Sequence, residues 1–276
     1  MGTLYLVATP IGNLEDMSPR AVRVLREARL IAAEDTRHTG VLLKHFEIPT
    51  PITSYFEHNK LHKLDTILRA LADGDVALVS DAGSPAVNDP GYELVQAALA
   101  AGFDVRPVPG PSAPIAALTV SGLPTDRFVF EGFLPAKTQA RRERLHGLKQ
   151  EPRTLIFYEA PHRLGEVLQD MSATLGADRR ALIARELTKL HESAYRGTLA
   201  ELIAREQDDA NMSRGEIVIV VAGETVENAM PRDVERVLRV LLDELAPAQA
   251  AKLAARLTGA RRGELYDLAL RLGTKS

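Results

Sequence analysis

The chain has no cysteine and no tryptophan, and the first absence removes several chemistries at once. Without thiols there are no disulfides, no thiolate metal sites and no cysteine nucleophile. Long apolar runs are missing as well, and no stretch of eighteen or more apolar residues is present to span a bilayer. The opening Met1–Thr9 has neither a basic region nor a small-residue cleavage site and runs straight into a strand-like segment, which points to a cytoplasmic protein. A surplus of positive charge is also lacking. Lys and Arg number 34 against 37 Asp and Glu, a formal net charge of −3. That balance argues against coating nucleic acid through bulk electrostatics, while leaving room for a local basic patch. The motifs G-x-G-x-x-G, G-x-x-x-x-G-K-[ST] and G-x-S-x-G do not occur, so a dinucleotide fingerprint, a P-loop and a hydrolase elbow are unsupported.

What is present is an alternation. The length of 276 residues suffices for one large α/β domain or two modest ones. Thr3–Thr9, Leu30–Glu34, Val76–Ser80 and Val105–Pro109 read as buried strands bounded by Pro, Gly or Asp. Helical patterns at Pro19–Ala28, Thr36–Phe46, Leu61–Ala72, Tyr92–Ala101 and Pro114–Ser121 lie between and after them. Such spacing predicts βαβ units and a mostly parallel sheet. After Gly122-Leu123-Pro124 the texture changes. Strands are expected at Phe128–Leu134, Thr154–Glu159, Ala181–Glu186 and Glu216–Ala222, with helices at Gln139–Leu148, His162–Leu175 and Leu199–Arg205. This is a second α/β sheet of mixed strand direction. From Pro231, which suits a first helical turn, three short helices follow at Arg232–Leu245, Ala248–Leu257 and Arg262–Leu272, with Gly259 and Gly273 at helix ends. The tail carries roughly three net positive charges in an otherwise acidic chain. The expected division is therefore 1–122, 123–226 and 231–276.

In an open parallel sheet, ligands sit outside the carboxyl ends of the strands, so the strand-end loops carry the argument. Pro10 and Gly12 follow the first strand in a tight turn whose backbone can approach a ligand. Glu34, Asp35, Arg37 and His38 end the second; Asp35 or Thr36 could equally cap the next helix. The run from Ser80 to Gly91 exceeds what a turn needs. Its Asp81 has no structural excuse, whereas Asp89 could cap a helix beginning at Pro90. A carboxylate here can accept from ribose or amino groups, or attract a sulfonium. Val108–Ala113 forms another small-residue junction, with Ser112 a plausible cap. In the second half, Phe157–Arg163 and Arg185–Lys189 place charges where strands end. Lys137, Arg141, Arg142, Arg144 and Lys149 make a basic stretch, read either as a solvated helix face or as an RNA phosphate contact. His58 and His62 are spaced four apart but lack a third ligand, and they read as surface histidines rather than a metal site.

Taken together these motifs are familiar. The segments TPIGNLEDMSPRA, AAEDTRHTGVLL, SDAGSPAVNDPG, FYEAPHR and RELTKLHE, in that order, resemble the bacterial ribosomal RNA small-subunit methyltransferase I family within the tetrapyrrole methylases. The resemblance covers nearly all of residues 1–223 and fits the small helical C-terminus. It implies two α/β domains with S-adenosylmethionine in the cleft between them, a homodimer, and 2′-O-methylation of a cytidine in the decoding region of 16S ribosomal RNA in the small subunit. It further implies cofactor contacts at Pro10, Gly12, Asp81, Gly83, Ser84, Val87, Ser112 and Ala113, joined by Tyr158, Glu186 and Leu187.

In-line methyl transfer needs accurate positioning, and a ribose hydroxyl gains from a base or from cations near the developing alkoxide. Glu34, Asp35, Glu159 and Glu186 are the base candidates. Arg37, Arg163, Arg185 and Lys189 are the cations, and no metal is required by this chemistry. RNA contacts are expected from Lys137, Arg141, Arg142, Arg144, Arg163, Arg261 and Arg262, with the Arg37/His38 region and the other basic residues of the tail. Two rival readings are a corrin or porphyrin C-methyltransferase, which predicts a deep apolar cleft without basic flanks, and a non-catalytic ribosome-assembly factor.

Overall fold

A computed structural model describes residues 2–55, 60–224 and 232–273. His58 and Pro231 lie outside the described residues, as does the side chain of His62. The chain divides into two compact units, one of residues up to Leu148 with Thr154–Ala222, the other of Lys149–Arg153 with Gly223 onward.

The first unit holds two sheets. One contains β1 (Thr3–Val7), β2 (Leu30–Ala33), β3 (Ile52–Ser54), β4 (Val76–Val79) and β5 (Asp104–Val108), in the order β3-β2-β4-β1-β5. Every pairing in it is parallel. The continuous apolar run of β4, buried at all its positions, is what a central parallel strand covered on both faces requires. Side chains alternate across the pleat. Tyr5 and Val7 face α1 (Pro19–Glu27) and α2 (Thr36–His45), while Leu4 and Leu6 face α3 (Lys60–Asp73) and α4 (Tyr92–Ala100). Ser18 starts α1 by accepting from the Ala21 N–H at 3.0 Å, with Pro19 in the first turn. The short β3 escapes a periodicity reading because three half-buried residues carry no pattern.

The second sheet contains β6 (Phe128–Phe133), β7 (Thr154–Glu159), β8 (Arg180–Arg185), β9 (Ser193–Thr198) and β10 (Ile217–Val221), in the order β6-β7-β10-β8-β9. Only β6 and β7 pair in parallel, so this sheet is mixed. One face packs against α6 (Thr138–Leu148), α7 (Leu164–Leu175) and α8 (Leu199–Asp208) through Leu145, Val167, Met171 and Leu202. The other is covered by α5 (Ala113–Val120), whose Ala117 and Leu118 meet Ile156, Leu182 and Val220. Thus α5 leaves the end of the first sheet and packs on the second. The strand β9, unassigned from sequence, is a polar edge strand with one buried residue, Tyr195.

The second unit contains α9 (Arg232–Leu242), α10 (Pro247–Thr258) and α11 (Arg262–Gly273), around Val234, Leu238, Ala250, Ala254 and Leu265. Gly259 adopts the left-handed conformation that ends α10, at φ 74°. No helix among the described residues is long and apolar enough to cross a membrane.

Candidate active site

Four loops leave the carboxyl ends of β1, β2, β4 and β5, and backbone contacts lace three of them together. Thr9 and Gly83 exchange both hydrogen bonds, at 2.9 and 3.0 Å. A Cβ on Gly110 would sit 3.0 Å from the Cβ of Ala8, so the loop after β5 presses directly on the loop after β1. The loop after β4 holds two non-glycine residues in the left-handed region, Ala86 at φ 67° and Asn88 at φ 64°. Such conformations persist where the surroundings over-determine them. Here the Asn88 side chain reaches the bulge of β6, where a Cβ on Gly132 would fall 2.6 Å from its Oδ1.

These loops and the ends of the second sheet enclose a cavity of about 410 Å³. Asp81, Gly83, Ser84, Val87, Ser112, Ala113, Tyr158 and Leu187 line it, together with Glu34 and Glu159. Ser112 stands at the start of α5 but makes no capping bond with its side chain.

The cavity is acidic, and its carboxylates are unusual. Glu34 has its carboxyl pushed upward by burial and by Asp89, Asp81 and Asp35, against the opposing pull of the Asp81 N–H, which it accepts at 3.3 Å. In return, Asp81 Oδ1 accepts from the Asp35 N–H at 3.1 Å. Burial and the charge of Asp81 also raise Asp89, with the Ser80 hydroxyl opposing. Glu159 is 3% exposed; its Oε1 accepts from the Ala160 N–H at 2.8 Å and lies 3.3 Å from Arg163 Nε, while its Oε2 has no partner among the described residues. Burial outweighs the Ala160 N–H and the Arg163 charge and raises this carboxyl as well. Tyr158, desolvated and facing Asp89 and Glu216, is pushed up to about 12 and stays a donor.

The structure places several of the expected residues elsewhere. Pro10 and Gly12 do not line this cavity but a second one beside it. Asp35 caps α2, accepting from the Arg37 N–H at 2.8 Å, and the Arg37 guanidinium folds back onto it at 2.7 Å. Neither lines this cavity or the one beside it, and Arg37 points to solvent. Glu186 is used as a brace. Burial would raise its carboxyl, but the Glu216 N–H and the Lys189 ammonium, each 2.9 Å away, hold it below its ordinary range. It does not line the cavity, although its neighbour Leu187 does. Lys189 is engaged by Glu186 and by Glu216 at 3.2 Å, and its stem lies over Gly12. Arg185 gives its guanidinium to the Arg214 and His191 carbonyls at 2.7 and 2.9 Å. Asp89 does not cap: α4 begins at Tyr92 with Gly91 before it, and the carboxylate lines the cavity instead.

The expected RNA contacts also divide. Arg141 is 1% exposed and bonded to Asp170 at 2.7 Å, so it cannot meet a phosphate. Arg163 donates to the Leu134 and Pro135 carbonyls at 2.9 and 3.2 Å. Arg142 and Arg144 reach solvent but pair with Asp170 and Glu131. Lys137, Arg261 and Arg262 are exposed, with Arg261 3.7 Å from Glu264.

Lining residues that the sequence did not single out include Phe133, Ala184 and Gly215–Val218. A strand-end rule looks after strands, whereas β10 runs antiparallel to its neighbours. Its start, Ile217, therefore stands beside Glu159 and Arg185 at their ends.

Comparison with known proteins agrees with this architecture. The family of Tetrapyrrole (Corrin/Porphyrin) Methylases matches residues 3–203, and the RsmI C-terminal HTH domain matches residues 228–273. A ribosomal RNA small subunit methyltransferase I from Pseudomonas aeruginosa is 53% identical over 100% of this chain and 99% of its own. Its namesake from Escherichia coli O157:H7 is 49% identical, over 98% and 95% respectively. The chain belongs to the tetrapyrrole methylases and, within them, to the ribosomal RNA small subunit methyltransferase I family. Among solved structures, cobalt precorrin-4 methyltransferase superposes with a TM-score of 0.61 at 16% identity, over 80% of this chain and 94% of that one. Uroporphyrin-III C-methyltransferase from Thermus thermophilus, complexed with S-adenyl homocysteine, gives 0.54 at 21%, over 80% and 97%. At such identities the likeness is one of fold.

Proposed function

We propose that the chain transfers the methyl group of S-adenosylmethionine to the ribose 2′-oxygen of a cytidine in the decoding region of 16S ribosomal RNA, within the small subunit. The observation that carries the reading is the acidic cavity at the carboxyl ends of β1, β2 and β4. It belongs to a chain whose full-length relatives are named for ribosomal RNA methylation. When bound, the cofactor supplies a methyl group activated by a sulfonium.

The residues present fit that group. Glu34, Asp81 and Asp89 favour a cationic ligand in a partly desolvated space. Gly83, Ser84, Ser112 and Ala113 are small enough for a flat nucleoside edge to lie against the backbone. The unmatched Glu159 Oε2 offers a partner to an amino group, since a buried polar atom left alone is costly. Val87, Tyr158 and Leu187 supply apolar walls, with the Tyr158 hydroxyl retained as a donor.

Glu34 is our choice of proton acceptor for the ribose hydroxyl. It lines the cavity, its carboxyl is raised toward the range useful near neutral pH, and it holds the backbone of Asp81. Residues 1–122 and 123–226 are read as the two domains that hold the cofactor, and 231–276 as a helical domain that meets RNA. RNA contact falls to the exposed Lys137, Arg261 and Arg262, and the enzyme acts as a cytoplasmic homodimer.

The test is transfer of labelled methyl from S-adenosylmethionine to small subunits that lack the modification, with mass spectrometry of the nucleosides. 2′-O-methylcytidine is the expected product. Tight cofactor binding with label only in a small-molecule acceptor would favour corrin or porphyrin methylation. Subunit binding with no label anywhere would indicate an assembly factor.

A further inference from the structure

Beside the cofactor cavity lies a second one of about 280 Å³, between the loop after β1 and α2. The two are neighbours through shared structure. Asp81 lines both, and the paired Thr9 and Gly83 backbones form the partition, Thr9 on one side and Gly83 on the other. We infer that this second cavity receives the acceptor nucleoside of the RNA strand, unstacked from its neighbours, and presents its ribose across Asp81 to the cofactor side. The inference rests on the function proposed above and adds a location for the substrate.

Three observations carry it. The lining is two-natured. Leu14, Val41 and Leu42 offer apolar surface to the face of a base, while Thr9, His38, Ser80 and Asp81 offer hydrogen-bonding groups to its edge or to the sugar. That is how single-stranded or flipped bases are held. Next, the apolar members at the mouth are left bare: Val41 is 73% exposed and Leu14 42%. Finally, the size suits one nucleoside. The volume lies just below the roughly 300–1,000 Å³ range of drug-sized ligand pockets, small for a tetrapyrrole macrocycle. Charge orders the rest, because Glu34, Asp81 and Asp89 repel phosphate from the inner space while neutral base and ribose can enter.

The test fills the mouth. Val41→Trp sits on an exposed helical position, so the fold should tolerate it, and S-adenosylmethionine affinity by calorimetry reports whether it has. Wild type and variant are assayed with small ribosomal subunits. The expected result is a rise of tenfold or more in KM for subunits, with cofactor Kd within twofold of wild type. In parallel, a benzoylphenylalanine photo-crosslinker at position 41 should attach to 16S RNA beside the methylated nucleotide. Equal loss of cofactor affinity would assign the cavity to the cofactor and overturn the inference, as would unchanged KM with no crosslink. Failure of the wild type to methylate RNA would instead overturn the proposed function, and this inference with it.

Discussion

The two sheets treat charge in opposite ways. Around the first, Glu34, Asp81 and Asp89 face a cavity, and two of them have carboxyls raised by burial and by one another. Around the second, most of the basic residues that look available in sequence are already engaged. Arg141 and Arg142 share Asp170, Arg144 meets Glu131, and Arg163 meets Glu159 and two carbonyls. A charge signals function only where the fold has not supplied its partner. The first sheet leaves its acids in tension at strand ends, where a ligand can relieve it. The second pairs its charges away from the cavity, Glu159 excepted, and buries Arg141 and Asp170 together, where each offsets the desolvation cost of the other.

The sharpest way to break this contrast is Glu34→Gln. If Glu34 is the base, methyl transfer should fall by about 10²–10⁴-fold, with cofactor binding largely kept. A base acts deprotonated, so in wild type the rate should climb with pH through the raised value of this carboxyl, and the acid limb should vanish in the variant. A threefold loss or less, with the limb intact, would remove Glu34 from the role.

On the second sheet the corresponding change, Asp170→Ala, should act on stability instead. It strands the buried Arg141 guanidinium, and breaking such a pair costs about 3–5 kcal/mol, measurable by urea unfolding. Burial alone would raise Asp170, but Arg142 and Arg141 outweigh it and hold the carboxyl below its ordinary range. Its contribution is therefore complete above the ordinary carboxylate range and disappears as pH falls through the depressed value. The wild type should lose that increment in acid and the variant should not.

The smallest effect expected is that of Lys137→Glu, an exposed member of the same basic stretch. It should weaken small-subunit binding modestly and lower the salt dependence by about one unit of slope. An unchanged stability, set against the Asp170 result, would separate solvent-facing charge from structural charge within one stretch. An unchanged salt slope would take Lys137 off the RNA surface.

The sequence made the strand-end loops legible because their Gly, Pro, Ser and Asp content exceeds what connection demands, and the loop from Ser80 to Gly91 does line the cavity. It could not reveal β3, too short for a pattern, or β9, whose side chains are mostly polar. Nor could it separate Asp35 from Glu34. Adjacent carboxylates at one strand end look alike, yet one turns back to cap a helix and the other faces the cavity. Glu186 and Lys189 are similar cases, reading as chemistry and serving as a brace for the Glu216 backbone.

By itself, the sequence determined the alternation of elements, the parallel character of the first sheet and the loops that carry chemistry. Local periodicity and turn composition are enough to encode these. Only the tertiary structure decided which charges were neutralised, which side of the Thr9–Gly83 partition each loop residue lined, and that the start of β10 completed the cavity. Those outcomes depend on partners distant in sequence, such as Asp170 for Arg141 and Glu159 for Ile217, which no local pattern records.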